Sequence, residues 1–195
     1  MALADEIALS DRFWQAHSEF APTNYHYDSL AQMTSDAHLI VRGRLIGTRA
    51  GELQPFDAPD GMDGARRVIF GIVAIDEVLK GSPNTLIPGA VLVARVGASD
   101  QRPEDLPRGE IVLFLKNYQQ LRLETGSGPS SDSDDRFYYA RPNGYQCVLR
   151  NLGGDVRIVE PAEDSGEVLQ GFPGQLNHES FSDVLDAIRQ AVAGE

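Results

Sequence analysis

The sequence predicts a mainly β protein, with about seven strands that close as a small barrel or sandwich and a helix at each end. Three observations predict it. Runs rich in Val, Ile, Leu and Phe recur from residue 38 to residue 160, bounded by turns of Gly, Pro, Asn and Asp. No strand–helix–strand alternation separates them, which argues against a parallel α/β sheet. Apolar residues at helical spacing are confined to the stretches before residue 37 and after residue 180.

Each element follows from local pattern. Residues 3–20 read as an amphipathic helix, with Ile7, Phe13, Trp14 and Phe20 as a loose apolar stripe and Asp5, Glu6, Asp11 and Glu19 outside it. Residues 21–27 read as an extended connection, and Asp28 as the cap of a short helix through Leu30 and Met33. His38–Thr48 alternates: Leu39, Val41 and Leu45 point one way, Ile40, Arg42, Arg44 and Ile46 the other. Gly43 and Gly47 fit a sharply curved strand or a bulge. A loop is expected at 50–65. Arg67–Leu79 is the longest strand; apolar on both faces, it is either covered on both sides or changes face at a bulge. Pro88-Gly89 suits a type II turn. Ala90–Val96, Glu110–Lys116, Phe137–Arg141, Tyr145–Arg150 and Val156–Glu160 supply the other strands, with turns at Pro142-Asn143-Gly144 and Gly153-Gly154. Residues 124–135 and 161–175 read as flexible. Ser180-Phe181-Ser182-Asp183 is a capping box opening a last helix, in which Phe181, Val184, Leu185, Ile188 and Val192 form one stripe.

Composition sets the class. Ile, Leu, Val and Phe number 51 of 195 residues, enough for a core and too many for a disordered chain. No apolar run reaches the ~18 residues of a membrane span, so no membrane insertion is expected. The formal charge is −12, unevenly spread. Residues 1–37 hold six acids and one base, residues 38–119 ten of each, and residues 120–195 thirteen acids and six bases. An acidic envelope around a neutral middle repels polyanions, so no nucleic-acid partner is expected. Cys147 is the single cysteine, so no intrachain disulfide forms, and its aliphatic strand setting predicts a buried, inert thiol. The N-terminus has early acids and no long apolar core; it does not read as a signal peptide. The default expectation is a cytoplasmic protein, or an exported one whose signal has been removed.

Four segments carry a resemblance: SLAQMTSDAHLIVRGRLIG from Ser29, VIFGIVAIDEVLKGSP from Val68, PRGEIVLFLKNY from Pro107 and PNGYQCVLRN from Pro142. Together they resemble a group of uncharacterised bacterial proteins patterned as a short helix, ADLVVxGxV, VxEVLKGS, PGExxLLFL and a glycine-led strand. More distantly, they resemble the netrin-type module of tissue inhibitors of metalloproteinases. Both resemblances imply an OB-like, closed or partly open antiparallel barrel with flanking helices, over about residues 28–160. The implied division is an N-terminal helix and connection at 1–27, the barrel at 28–160, and a linker and C-terminal helix packed on the barrel at 161–195. The inhibitors act through an N-terminal cysteine and are stapled by disulfides. This chain has neither, so that mechanism does not carry over. Many proteins of the bacterial group are exported, so the resemblance implies export as the alternative to the cytoplasmic default.

Motifs for chemistry are sparse. His17, His26, His38 and His178 show no helical i, i+4 pairing, and His178-Glu179 lacks the second histidine of a zincin motif. Asp57, Asp60 and Asp63 with Gly61 and Gly64 do not have the spacing of an EF-hand. Asp132, Asp134 and Asp135 read as a charged loop. No nucleophile elbow, Walker loop or dinucleotide fingerprint occurs, and no metal or cofactor is expected. Asp76-Glu77 is the most interesting acid pair, because acids within an apolar strand are candidates for perturbed proton affinity. Arg42 and Arg44 on one strand face, Arg66 and Arg67 opening the next, and Tyr138 are the candidate partner-binding residues, since arginines with tyrosines suit a contact surface. Tyr118, Tyr139 and Tyr145 are expected near them. The reading is a non-enzymatic binding or interaction module for a protein partner. Its alternatives are a carboxylate-dependent hydrolase centred on Asp76 and Glu77, and a single-strand nucleic-acid binder, which the charge disfavours.

Overall fold

Alternation at the start of strand β1 (Leu39–Asp57) divides the core in two: Leu39, Val41 and Leu45 enter one apolar cluster and Ile40 another. This computed structural model describes residues 2–15, 27–57, 63–96, 106–124, 126, 137–140, 147–159 and 172–195. After β1 come β2 (Asp63–Lys80), β3 (Ala90–Val96), β4 (Glu110–Asn117), β5 (Tyr138–Ala140), β6 (Val148–Leu152) and β7 (Asp155–Arg157). The helices are α1 (Leu3–Gln15), α2 (Leu30–Asp36), α3 (Tyr118–Glu124), α4 (Phe172–Leu176) and α5 (Phe181–Ala193). Hydrogen-bonded neighbours run β1–β2–β3–β5–β4–β6–β7. β1 also pairs with β4, from Leu39 opposite Leu115 to Arg44 opposite Glu110. Pairing is antiparallel except between β3 and β5, where Leu92 and Val93 lie parallel to Tyr138 and Tyr139. The chain is therefore mainly β, a largely antiparallel sheet with helices at both ends.

The first cluster joins Leu39, Val41 and Leu45 to Val73, Val91, Val93 and the Ile111–Leu113–Leu115 face of β4, and takes in Phe13 and Trp14 of α1. The second packs Ile40, Val112, Phe114 and Leu149 under Met33 of α2 and Phe181, Val184, Leu185 and Ile188 of α5. β4 is thus covered on both faces, and each of its buried aliphatic side chains contributes about 1.5–3 kcal/mol. A small third cluster centres on Phe70 and Leu92. α1 is fastened by more than Phe13 and Trp14. Asp11 pairs with the buried Arg150 at 2.7 Å, and Glu6 accepts the backbone N–H groups of Arg108 (2.7 Å) and Gly109 (3.2 Å). The outer edge of β7 is occupied by the chain just before α5, where Val156 N–H donates to the Glu179 carbonyl at 2.7 Å. That leaves no bare edge there for another strand to join.

Several local expectations are corrected. The loop expected at 50–65 is instead the extension of β1 to Asp57 and of β2 from Asp63, a hairpin with four register shifts. Its Gly, Pro and Asp residues favour a loop locally, yet Pro55 pairs opposite Ala65, Phe56 opposite Gly64 and Asp57 opposite Asp63 in continuous register, so strand pairing overrides that preference. One shift falls at Arg42/Gly43. A Cβ on Gly43 would sit 2.0 Å from the Ala74 carbonyl oxygen, so only glycine allows β1 and β2 to approach there. Ser29, not Asp28, caps α2, its Oγ accepting the Gln32 N–H at 3.1 Å. α3 follows β4 without a break, and α4 begins inside the stretch 161–175 expected to be flexible and ends just beyond it. Gly153 and Gly154, both at positive φ, form the two-residue turn between β6 and β7. His17, His26, Asp60, residues 127–136, Pro142-Asn143-Gly144 and Tyr145 lie outside the described residues. Among the described residues, no helix is long and apolar enough to cross a membrane.

Candidate functional site

Past Ile40, the outward face of β1 presents Arg42 and Arg44, and the β2 acids meet them. Arg42 Nε lies 3.2 Å from Glu77 Oε2, and its Nη1 3.5 Å from Glu110 Oε1 on β4. Arg44 Nη2 donates to Asp76 Oδ1 at 2.9 Å. Glu77 also receives Arg189 of α5 through Nε (3.2 Å) and Nη2 (2.9 Å), while Arg189 Nη1 reaches Asp186 at 2.7 Å. The two candidate groups, arginines on β1 and acids on β2, are therefore each other's partners. The strip sets three guanidinium groups against four carboxylates, and every member is a quarter or more exposed. Pairs so well hydrated contribute at most about 1 kcal/mol each.

The other candidate residues lie elsewhere. Arg66 and Arg67 are opposite Gln54 and Leu53, roughly 30 Å of strand beyond Arg44 at about 3.3 Å per residue. Tyr138 is on β5, which meets β4 near Asn117, roughly 20 Å along that strand from the residues facing Arg42 and Arg44. Arg42 and Arg44 are brought together; Arg66, Arg67 and Tyr138 do not join them.

A second polar cluster was missed by the sequence reading. Val112, Phe114 and Lys116 share one face of β4, so the period of two carries Lys116 into the layer between sheet and helices. Lys116 is only 4% exposed. Its Nζ lies 2.8 Å from Asp36 Oδ1 at the end of α2 and 3.2 Å from Glu124 Oε2 at the end of α3. Tyr27 Oη donates a short hydrogen bond to Asp36 Oδ2, and Gln120 Nε2 donates to Glu124 Oε1. Burial alone would lower the Lys116 proton affinity, but hydrogen bonds and attraction from Asp36 and Glu124 outweigh it and hold the group above its ordinary value. A lysine held protonated is a donor and an anchor, not a nucleophile. Lys80, at the end of β2, serves α2 similarly: its Nζ donates to the Thr34 and Ser35 carbonyls and pairs with Glu195 at 2.7 Å. The lysine of the VLKGSP segment thus satisfies the last turn of a helix.

Cys147 is fully buried in the second cluster. Among the described residues, no three His, Cys, Asp or Glu side chains converge to hold a metal ion. No family model, curated protein or solved structure matches the chain.

Proposed function

We propose that this chain is a non-enzymatic binding module for a protein partner, built on an OB-like barrel. The strand pairing supports the barrel. β1 is bonded to β2 on one edge and β4 on the other, and the parallel contact of β3 with β5 links the two halves. One observation carries the functional reading: Asp76 and Glu77, the acids on which a hydrolase would depend, are engaged by Arg44, Arg42 and Arg189 rather than turned towards a substrate. A surface of exposed, mutually paired charges beside the exposed Ile46 matches the polar rim and apolar contact of a transient protein interface. The partner exchanges its own charges into the strip and covers Ile46.

The test is site-specific photo-crosslinking in the native host. A crosslinking residue at Ile46 should give one discrete protein adduct, and the same residue at Leu123, equally exposed but on α3, should give none. Equal labelling at both positions, or no adduct at Ile46, would reject the β1 face as the contact surface.

A further inference from the structure

His38 immediately precedes β1, and its backbone N–H donates to the Leu115 carbonyl at 2.9 Å. Its ring faces the junction where β4 ends and α3 begins. Nδ1 accepts the backbone N–H of Asn117 at 3.3 Å. An accepting ring nitrogen carries no proton, so the neutral ring is the Nε2–H tautomer. Nε2 lies 3.9 Å from Glu124 Oε1. Asn117 in turn accepts the Gln120 N–H on its side-chain oxygen at 3.3 Å, as a helix cap does. One imidazole therefore addresses both the residue before α3 and the last residue of α3.

We propose that His38 is a proton-operated latch on α3: the neutral ring holds the β4–α3 junction through Asn117, and the protonated ring releases that bond and turns its attraction to Glu124. The step is a simple protonation. A proton from water joins the Nδ1 lone pair, the ring becomes a cation, and the Asn117 N–H loses its bond to His38; no covalent bond of the chain changes. The charges around the ring come from every packed element. Glu124 of α3 and Asp36 of α2 favour the cation; Lys116 of β4 and Lys80 of β2 oppose it. Tyr27 holds Asp36, and Glu195 pairs with Lys80, which moderates both influences. Burial, the largest effect, combines with the two lysines to hold His38 below its ordinary 6.5, so the latch opens only when the pH falls below that value.

The test is a pH titration of the full chain by NMR, following the His38 ring and the backbone amides. The Asn117 and Gln120 amides should move with the midpoint of the His38 ring. After correction for intrinsic pH dependence, Asn117 exchange should rise roughly fivefold below that midpoint, the loss of about one hydrogen bond. Leu113, inside β4, should not follow. His38→Asn keeps an acceptor oxygen near the Nδ1 position and cannot titrate, so Asn117 should become flat with pH. An Asn117 amide that ignores the His38 midpoint in the unaltered protein would overturn the proposal, as would an unchanged response in His38→Asn.

Discussion

Single atoms decide more here than residue types do. The missing Cβ of Gly43 is the clearest case, because what it would strike is the Ala74 backbone, which cannot rotate away. Gly43→Ala should therefore cost about 3 kcal/mol, measured as a shift of the urea midpoint, whereas the same change at Gly89 meets no neighbouring atom and is strained only by its positive φ. Lys116 is decided by its two carboxylates. Its folded proton affinity is raised, so its contribution to stability is complete below the ordinary value of 10.5 and is lost as pH rises through the folded value. Lys116→Met should destabilise by about 2 kcal/mol at neutral pH, less than for a fully buried pair because Asp36 and Glu124 each keep about a third of their side-chain surface in water. Denaturation curves for the two proteins should converge above pH 10.5; a gap that stays constant would show that packing, not charge, is what Lys116 supplies.

At the scale of elements, the sequence was legible wherever one period dominated. The alternation of Leu39, Val41 and Leu45 against Ile40 placed both faces of β1, and the stripe Phe181, Val184, Leu185 and Ile188 is the buried face of α5. Leu185→Ala should cost roughly 2–5 kcal/mol in thermal or chemical denaturation, because its cavity opens between helix and sheet and neither can collapse into it. An unchanged Tm would mean that α5 contributes nothing to the fold. The sequence was illegible where a tertiary partner overrides local preference. α3 lies between the strand read at Glu110–Lys116 and the loop read at 124–135 and carries no helical signal of its own; Asn117 caps Gln120 and Glu124 anchors on Lys116 to make it helical. The extension of the β1–β2 hairpin was hidden by glycine and proline, which signal a loop, although Leu53–Asp57 and Asp63–Arg67 pair in unbroken register. Of the candidate site, Arg42 and Arg44 were visible as a pair; that Arg42 would share Glu77 with Arg189 of α5, 112 residues from that carboxylate, was not, since no local pattern encodes so distant a contact.

For the whole molecule, charge is the governing quantity. A net −12 surrounds a central segment in which Arg42 and Arg44 on β1 are already matched by Asp76, Glu77 and Glu110. Binding a phosphate backbone would require those guanidinium groups to leave carboxylates, and each contact would release fewer counterions than a free cation does. Mixed-sequence single-stranded DNA or RNA should therefore bind no tighter than about 10⁻⁴ M by fluorescence anisotropy at low salt. A micromolar, salt-sensitive isotherm abolished by Arg42→Ala with Arg44→Ala would instead make the β1 face a nucleic-acid groove.

The seating of Trp14 in the first apolar cluster also fixes what light can report. It is the chain's single tryptophan, and it rides on α1 rather than on any strand, stacked edge-on against Phe13 at 5.0 Å. Indole emission therefore senses whether the N-terminal helix is in place, while the far-ultraviolet dichroism of the protein senses the strands. If the two signals melt together, α1 belongs to the same cooperative unit as the sheet. If the indole shifts to the red first, the helix is a separately removable closure, and its departure exposes the interior to solvent before the sheet itself comes apart.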